Sequence, residues 1–268
     1  MNNHPCFSKC MAKKYGRIHL PVAPICNIKC IYCDKTTSCV NESRPGLSNT
    51  ILKPIEAYEF FKEQYKDKNY LSVVGIAGPG DPLANFENTI KTFNLIKNDY
   101  PEINLCLSTN GTSFPKYYKE LKNIGIKYVT ITINTLNVNT ATKIYEYANI
   151  DNMFLENFEA GKKIIEKQNE TLEILKEDSY FHIKINTVYI QGINNKEILS
   201  ICSKAKEIGA DLYNLIPCIK TSNTINKFQD INQKEFNDLK QKCNSIVPVM
   251  THCNHCRADA VGYINKED

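Results

Sequence analysis

The sequence predicts an α/β fold, a parallel sheet with helices outside it, on three observations. Six apolar, mostly β-branched stretches of strand length alternate with amphipathic stretches of helical length. The connections between strands are long enough to cross back over a sheet, as parallel neighbours require. A chain of 268 residues with 42% hydrophobic side chains suits one large α/β domain or two small ones, each able to bury a core.

Taken in order, residues 1–16 carry His4, Cys6 and Cys10 ahead of any regular element and read as an N-terminal arm. Residues 17–23 read as a first strand, which Pro24 ends. A cysteine-rich loop follows, running into the polar, turn-rich segment Asn41-Glu42-Ser43-Arg44-Pro45-Gly46. Pro54 suits the first position of a helix over 54–66. Residues 71–77 read as strand and 85–98 as a helix capped near Asn85. Residues 103–107 form a third strand, 116–123 a helix, and the β-branched run 128–133 a fourth strand. A long amphipathic helix lies within 157–177, with Phe158, Ile164, Ile165, Leu172 and Leu175 on its apolar surface. Strand 182–190, helix 195–208, strand 212–216 and helix 233–245 complete the pattern. Neither a second domain nor an internal repeat is evident from spacing.

Composition narrows the function classes. The net charge of +4 arises from 33 basic and 29 acidic residues spread along the chain, so no nucleic-acid partner is called for. No apolar run approaches 18 residues, and the Met-Asn-Asn-His-Pro start is not an apolar signal segment, so no membrane association and a cytoplasmic location are expected. In that compartment the twelve cysteines stay reduced, and clustered ones more often bind metal.

The sharpest cluster is Cys26-Asn27-Ile28-Lys29-Cys30-Ile31-Tyr32-Cys33, a C-x3-C-x2-C arrangement. Three thiolates this close can each ligate one iron of a [4Fe–4S] cluster and leave the fourth iron open to a small molecule. The competing readings are a zinc site, which usually pairs two C-x2-C knuckles, and three unrelated buried thiols. The spacing, with Tyr32 before the last cysteine, resembles the radical S-adenosylmethionine (SAM) superfamily. That resemblance implies a cluster whose open iron chelates SAM and passes an electron to it, giving a 5′-deoxyadenosyl radical. It also implies a partial (β/α)6 TIM-like barrel over residues 17–230, followed by a C-terminal helix and Cys-x-x-Cys segment over 231–268.

In parallel α/β sheets function collects at the carboxyl ends of the strands. After the second strand comes Gly78-Pro79-Gly80-Asp81. Alone it reads as a turn; one strand beyond the three-cysteine loop it reads as a close backbone approach to SAM. Ser108 and Asn110 end the third strand and Asn134 ends the fourth, where short polar side chains suit the carboxylate or ribose of SAM, although Asn-Gly is also a common turn. Lys184 and Asn186 share one face of the fifth strand and need a polar ligand if that face lines the barrel; otherwise they are ordinary surface residues. Tyr213 and Asn214 on the sixth strand read equally as adenine contacts or as core.

Among the other cysteines, Cys202 and Cys243 sit in helical patterns as small buried hydrophobes. Cys253 and Cys256 form a C-x2-C flanked by His252 and His255, and no second knuckle completes a zinc site. Iron–sulfur ligation with one distant cysteine is the better account.

Several stretches then agree with one family. His4-Pro5-Cys6-Phe7-Ser8, Asn41-Glu42-Ser43-Arg44-Pro45-Gly46, Ala77-Gly78-Pro79-Gly80-Asp81-Pro82-Leu83-Ala84-Asn85, Leu107-Ser108-Thr109-Asn110-Gly111 and Cys256-Arg257-Ala258-Asp259-Ala260-Val261-Gly262 resemble the NifB family of nitrogenase cofactor-maturation proteins. The resemblance spans nearly the whole chain. It implies two further [4Fe–4S] clusters, K1 and K2, fused into an [8Fe–9S–C] precursor whose carbide comes from the SAM methyl group. Carried over by motif, Cys6 and Cys106 hold K1, with His4 as third ligand and Cys10 as a local substitute; Cys39, Cys253 and Cys256 hold K2. Glu42 and Arg44 then lie between the clusters, placed to assist proton movement or to hold them, or else as a loop salt bridge. The implied partners are an iron–sulfur cluster donor, a cofactor-carrier protein and a low-potential electron donor.

Three places depart from the pattern: Ala12-Lys13-Lys14 where a histidine-containing stretch is expected, Cys218-Ile219-Lys220-Thr221-Ser222 in place of a proline-rich loop, and no C-terminal carrier domain, as in the family's short form. Two rival readings are a different radical SAM maturase with auxiliary clusters and an iron–sulfur scaffold without SAM chemistry. The latter has no need of the glycine loop and polar strand ends.

Overall fold

Alternation along the strands decides which way this chain folds. In the central strands one parity is mostly Val, Ile and Leu, and the other carries most of the Gly, Ala, Ser, Thr, Cys, Asn and Lys. The apolar parity must be covered by helices, and the small, polar parity is left to line an interior. The computed structural model, which describes residues 3–34, 46–221, 223–224, 226–253 and 255–264, has this arrangement.

Its elements are β1 (Gly16–His19), β2 (Ile28–Cys30), α1 (Pro54–Asp67), β3 (Leu71–Ile76), α2 (Phe86–Asp99), β4 (Asn104–Thr109), α3 (Phe114–Ile124), β5 (Tyr128–Thr132), α4 (Val138–Ile144), β6 (Tyr145–Ile150), β7 (Met153–Glu156), α5 (Asn157–Glu177), β8 (His182–Tyr189), α6 (Ile198–Glu207), β9 (Leu212–Pro217), α7 (Gln233–Asn244) and β10 (Val261–Gly262). The main sheet has the order β10-β1-β3-β4-β5-β8-β9. Six of these strands run parallel in sequence order, and β10 adds an antiparallel edge against β1. The ends of the sheet do not pair with each other, so it forms a curled half-barrel, the α/β architecture expected.

Local signals place the helices. Pro54 opens α1, and the Glu56 carboxylate accepts the Lys53 N–H at 2.8 Å. Asn137 caps α4 and Asn232 caps α7 through their side-chain oxygens. Gly125, in the left-handed region at φ 87°, ends α3. Outward-facing Val74, Ile76, Leu105, Leu107, Val129, Ile131, Ile183 and Ile185 join Phe61, Phe93 and Phe114 of the helices in one continuous core. Each such side chain contributes about 1.5–3 kcal/mol by leaving water.

Four features depart from the sequence expectation, two of them the short helix α4 and the edge strand β10, neither of which was read from the sequence. The first strand is shorter than 17–23, because residues beyond His19 leave the ladder and rejoin it only at an isolated bridge between Ala23 and Pro79. A three-stranded antiparallel sheet, β2-β6-β7, in which the β6–β7 hairpin between α4 and α5 pairs with β2 of the cysteine loop, had no counterpart in the sequence reading. Its hairpin turns at Asp151 and Asn152, both with positive φ, the conformation of a tight hairpin turn. Since β2 contains Cys30, this small sheet holds one side of the three-cysteine loop.

Candidate functional site

The same parity gives the half-barrel a hollow interior. A closed barrel of this type is normally filled by layers of Val, Ile and Leu. Here the inward positions Gly75 and Ala77 of the β3 region, Cys106 and Ser108 of β4, Thr130 and Thr132 of β5, and Asn214 of β9 leave space. Two cavities result, enclosing about 1100 and 830 Å³ of space measured out to their open sides. They meet at Gly46, Ala77, Ser108, Asn186 and Ile216, which line both.

The upper cavity lies at the carboxyl ends of the strands. Cys26, Cys30 and Cys33 line it together with Pro79, Gly80, Asp81, Ser108, Asn110, Asn134 and Asn186. Loop-to-loop bonds fix the cysteine loop: Asn110 Nδ2 donates to Asn27 Oδ1 at 2.9 Å, Asn27 Nδ2 to Thr112 Oγ1 at 2.8 Å, and Lys29 Nζ to the Cys33 carbonyl at 3.0 Å. Asn134 Nδ2 donates to the Tyr32 hydroxyl at 2.8 Å, while its Oδ1 accepts the Val188 N–H at 2.9 Å. The aromatic residue before the third cysteine is thereby tied to the end of β5.

Gly80 has a steric reason. A Cβ there would stand 2.0 Å from the Ile25 carbonyl oxygen and 2.8 Å from that of Ala23, so only glycine lets this loop lie against the chain entering the cysteines. Asp81, 3% exposed, locks the loop from below. Its carboxylate accepts from Leu83 N–H at 2.9 Å, Asn110 N–H at 2.6 Å and Thr109 Oγ1 at 2.8 Å. Burial pushes this carboxyl up, and the hydrogen bonds oppose that shift.

The lower cavity extends into the amino-terminal halves of the strands, deeper than the strand-end location expected from sequence. His4, Cys6, Cys106, Lys184, Cys253 and Cys256 all line it. The arm reaches there because it is strapped on: Ser72 Oγ donates to the Asn3 carbonyl at 2.8 Å, and His252 Nε2 lies 3.0 Å from the Pro5 carbonyl oxygen. The rings of His4, Phe7, Tyr128 and His182 pack together at the barrel bottom, Phe7 edge-on to His4 and Tyr128, and His182 stacked on Tyr128. The Cys6 N–H donates to His4 Nδ1 at 3.1 Å, which leaves Nε2 as the imidazole nitrogen suited to ligation.

Of the other residues expected at a site, Gly78 packs beside Ala258 and lines neither cavity. Tyr213 is fully buried in the core on the helix side of β9, and its neighbour Asn214 takes the inward place. Cys10 is exposed beside a 3₁₀ turn, away from the lower cavity. Cys202 and Cys243 are buried against each other. Cys39, Glu42 and Arg44 lie outside the described residues.

Sequence reasoning missed Arg17 and His19. Arg17 donates through Nη1 to the Gly262 and Tyr263 carbonyls at 2.6 and 2.9 Å, and through Nη2 to Cys256 Sγ at 3.0 Å. The buried guanidinium thus fixes the position of the Cys256 sulfur at the cavity wall. The available signal was an Arg-x-His alternation inside an apolar strand. His19 Nδ1 sits 2.9 Å from the Arg257 carbonyl oxygen, and Gly75 makes room for its ring.

Burial first, and then the Arg17 charge, hold His19 down at about 4. Because its folded value lies below the usual 6.5, the unfolded chain binds the extra proton between those values, and stability falls as pH drops from 6.5 toward 4. We expect the apo-protein to lose about 3 kcal/mol over that window through this group, and His19→Gln to remove that slope. Urea unfolding of both proteins at pH 7, 5.5 and 4.5 measures it; equal slopes would contradict the assignment.

The three-cysteine donor set of the upper cavity suits an iron–sulfur cluster. Burial pushes the Cys30 thiol well up, and the Cys33 and Cys26 thiolates push it further, so three thiolates crowded in one place need a positive occupant. Every described cysteine is outside any disulfide. No helix among the described residues is long and apolar enough to cross a membrane.

Comparison with known proteins agrees with this geometry. The family described as the Radical SAM superfamily matches residues 20–205. The FeMo cofactor biosynthesis protein NifB of Methanocaldococcus infernus is 38% identical over 99% of this chain and 87% of its own length. NifB of Chlorobaculum tepidum is 36% identical over 99% of this chain, which spans 63% of that relative's length. Streptococcus suis SuiB, solved bound to S-adenosylmethionine, superposes with a TM-score of 0.60 at 14% identity, covering 88% of this chain and 51% of its own, a likeness of fold.

Proposed function

We propose, because the chain belongs to the radical SAM superfamily and within it to the NifB family, that it joins two [4Fe–4S] clusters into an [8Fe–9S–C] nitrogenase cofactor precursor whose central carbide is the methyl carbon of SAM. The observation that carries this reading is the pair of adjoining cavities, one lined by three cysteines and the other by four cysteines and three histidines, His4 among them. A SAM-cleaving enzyme without auxiliary clusters has no use for a second cavity lined by thiols.

Cys26, Cys30 and Cys33 hold the resident cluster, and Gly80, Ser108, Asn110 and Asn134 surround the place beside it. With SAM bound, that cluster supplies the electron that yields a 5′-deoxyadenosyl radical. The two cubanes are substrates. His4, Cys6 and Cys106 hold K1, and Cys253 and Cys256, with Cys39, hold K2. Ser108 and Asn186, common to both cavities, mark where the radical's path reaches the substrate. One SAM gives its methyl group to a cubane sulfide and leaves as S-adenosylhomocysteine. The 5′-deoxyadenosyl radical from a second takes one hydrogen from that methyl and leaves as 5′-deoxyadenosine, and the remaining two hydrogens leave as protons as the carbon bonds to iron. The ninth sulfide comes from outside the two cubanes. Arg17, through its hydrogen bond, positions the Cys256 sulfur, and Glu42 and Arg44 assist proton movement between the clusters.

Anaerobic reconstitution of the full chain tests this. The expected content is about twelve irons, three cubanes. With SAM and a strong reductant, both S-adenosylhomocysteine and 5′-deoxyadenosine are expected. About four irons per chain would contradict cluster fusion, and twelve irons without SAM cleavage would favour a scaffold.

A further inference from the structure

Among the described residues, one cation in the lower cavity lacks a counter-anion. Lys184 is 8% exposed, on β8 between Thr130 of β5 and Leu212 of β9. Its Nζ stands 5.6 Å from the centre of the Phe7 ring, the ring that helps close the barrel bottom. Among the described residues, no aspartate or glutamate lines this cavity, and none forms an ion pair with Lys184. Arg17, the other cation there, is held by two carbonyls and a sulfur. A buried ammonium without such partners is costly, and a cationic side chain kept in a cavity points to an electron-rich occupant.

The neighbours define that occupant. Burial dominates the surroundings of His4, Cys6 and Cys106, and the Lys184 charge is the next influence on all three. A cubane with a 2+ core, bound by two thiolates and a neutral imidazole, carries no net charge when oxidised and a negative charge after one-electron reduction. Its sulfide corners accept hydrogen bonds in both states.

We propose that Lys184 is the positioning residue for the cubane held by His4, Cys6 and Cys106: its ammonium donates to the sulfide face and compensates the charge of the reduced form. This rests on the reading of the lower cavity as a cluster site. It moves Lys184 from the SAM side, where the strand pattern left it, to the substrate.

The test uses the full chain carrying Cys26→Ala, Cys30→Ala and Cys33→Ala, reconstituted anaerobically with iron and sulfide, so that only the lower cavity loads. Iron content and a dithionite-poised redox titration followed by electron paramagnetic resonance are the readouts. Lys184→Met is expected to lose up to about four irons, one cubane, and any cluster retained at His4, Cys6 and Cys106 is expected to reduce at a lower potential. Lys184→Arg is expected to keep the iron. Without metal, Lys184→Met is expected to melt at or above the temperature of its parent, because it removes a buried charge, whereas loss of a merely structural lysine would lower it. Unchanged iron and potential in Lys184→Met, or equal losses in Lys184→Met and Lys184→Arg, would overturn the proposal. A background protein that takes up no iron would instead overturn the cluster reading beneath it.

Discussion

Cys30→Ala is expected to reduce 5′-deoxyadenosine formation by more than about 10³-fold, because it removes a ligand of the group that supplies the chemistry. Cys30 is the middle thiol of the loop, lies on β2 and is braced by the register of β2 against β6. Losing it leaves two thiolates for three irons, and the cluster has no alternative ligand in that cavity, where Cys26 and Cys33 are the remaining cysteines among the described residues. The fold should survive, since Cys30 is only partly buried and stands beside the small cluster built on Ile28, Ile144 and Tyr145. Chromatographic quantification of 5′-deoxyadenosine after reduction with dithionite, with circular dichroism as the folding control, checks this. Activity within tenfold of the parent in a folded variant would exclude Cys30 as a ligand.

The second large effect falls on stability. Asp81→Ala leaves the Leu83 and Asn110 N–H groups and the Thr109 hydroxyl without their shared acceptor in a buried place. Each orphaned donor costs about 1–3 kcal/mol, and local relaxation recovers part of the sum, so a loss of about 2–5 kcal/mol is expected. The loop carrying Gly80 would also come away from the Ile25 carbonyl, which should weaken SAM binding along with stability. Asp81→Asn keeps one acceptor oxygen but sets an amide N–H₂ against a donor, and should fall between the two. Urea unfolding of the apo-proteins and equilibrium SAM binding measure both effects. A change below about 1 kcal/mol in Asp81→Ala would show that the carboxylate does not hold the loop.

Much of this was legible in the chain itself. The six parallel strands follow from hydrophobic runs, and the three-cysteine loop follows from spacing. The cysteines at 6, 106, 253 and 256 could be assembled only through a resemblance, because they come from the arm, the third parallel strand and the C-terminal segment, which periodicity does not bring together. Strand parity was present but underused. It already separates Asn214 from Tyr213, and it sets Lys184 two residues deeper than Asn186, which divides one presumed SAM face between two cavities. The β6–β7 hairpin was missed because its turn, Asp151-Asn152, has no glycine, and because β2 is three residues long and embedded in a loop read only for its cysteines. Arg17 looked like an ordinary polar residue on an edge strand; its role depends on β10 returning from the far end of the chain.

The central claim is that the chemistry at Cys26, Cys30 and Cys33 is directed at iron–sulfur substrates in the cavity below. The most direct measurement is the fate of the methyl carbon of SAM. With SAM labelled in the methyl group, the reduced, cluster-loaded protein is expected to yield an iron–sulfur product that retains the label after acid-labile sulfide and free SAM are removed. Label recovered wholly in methanethiol, in methylated small molecules or in unchanged SAM, from protein that makes 5′-deoxyadenosine, would contradict it.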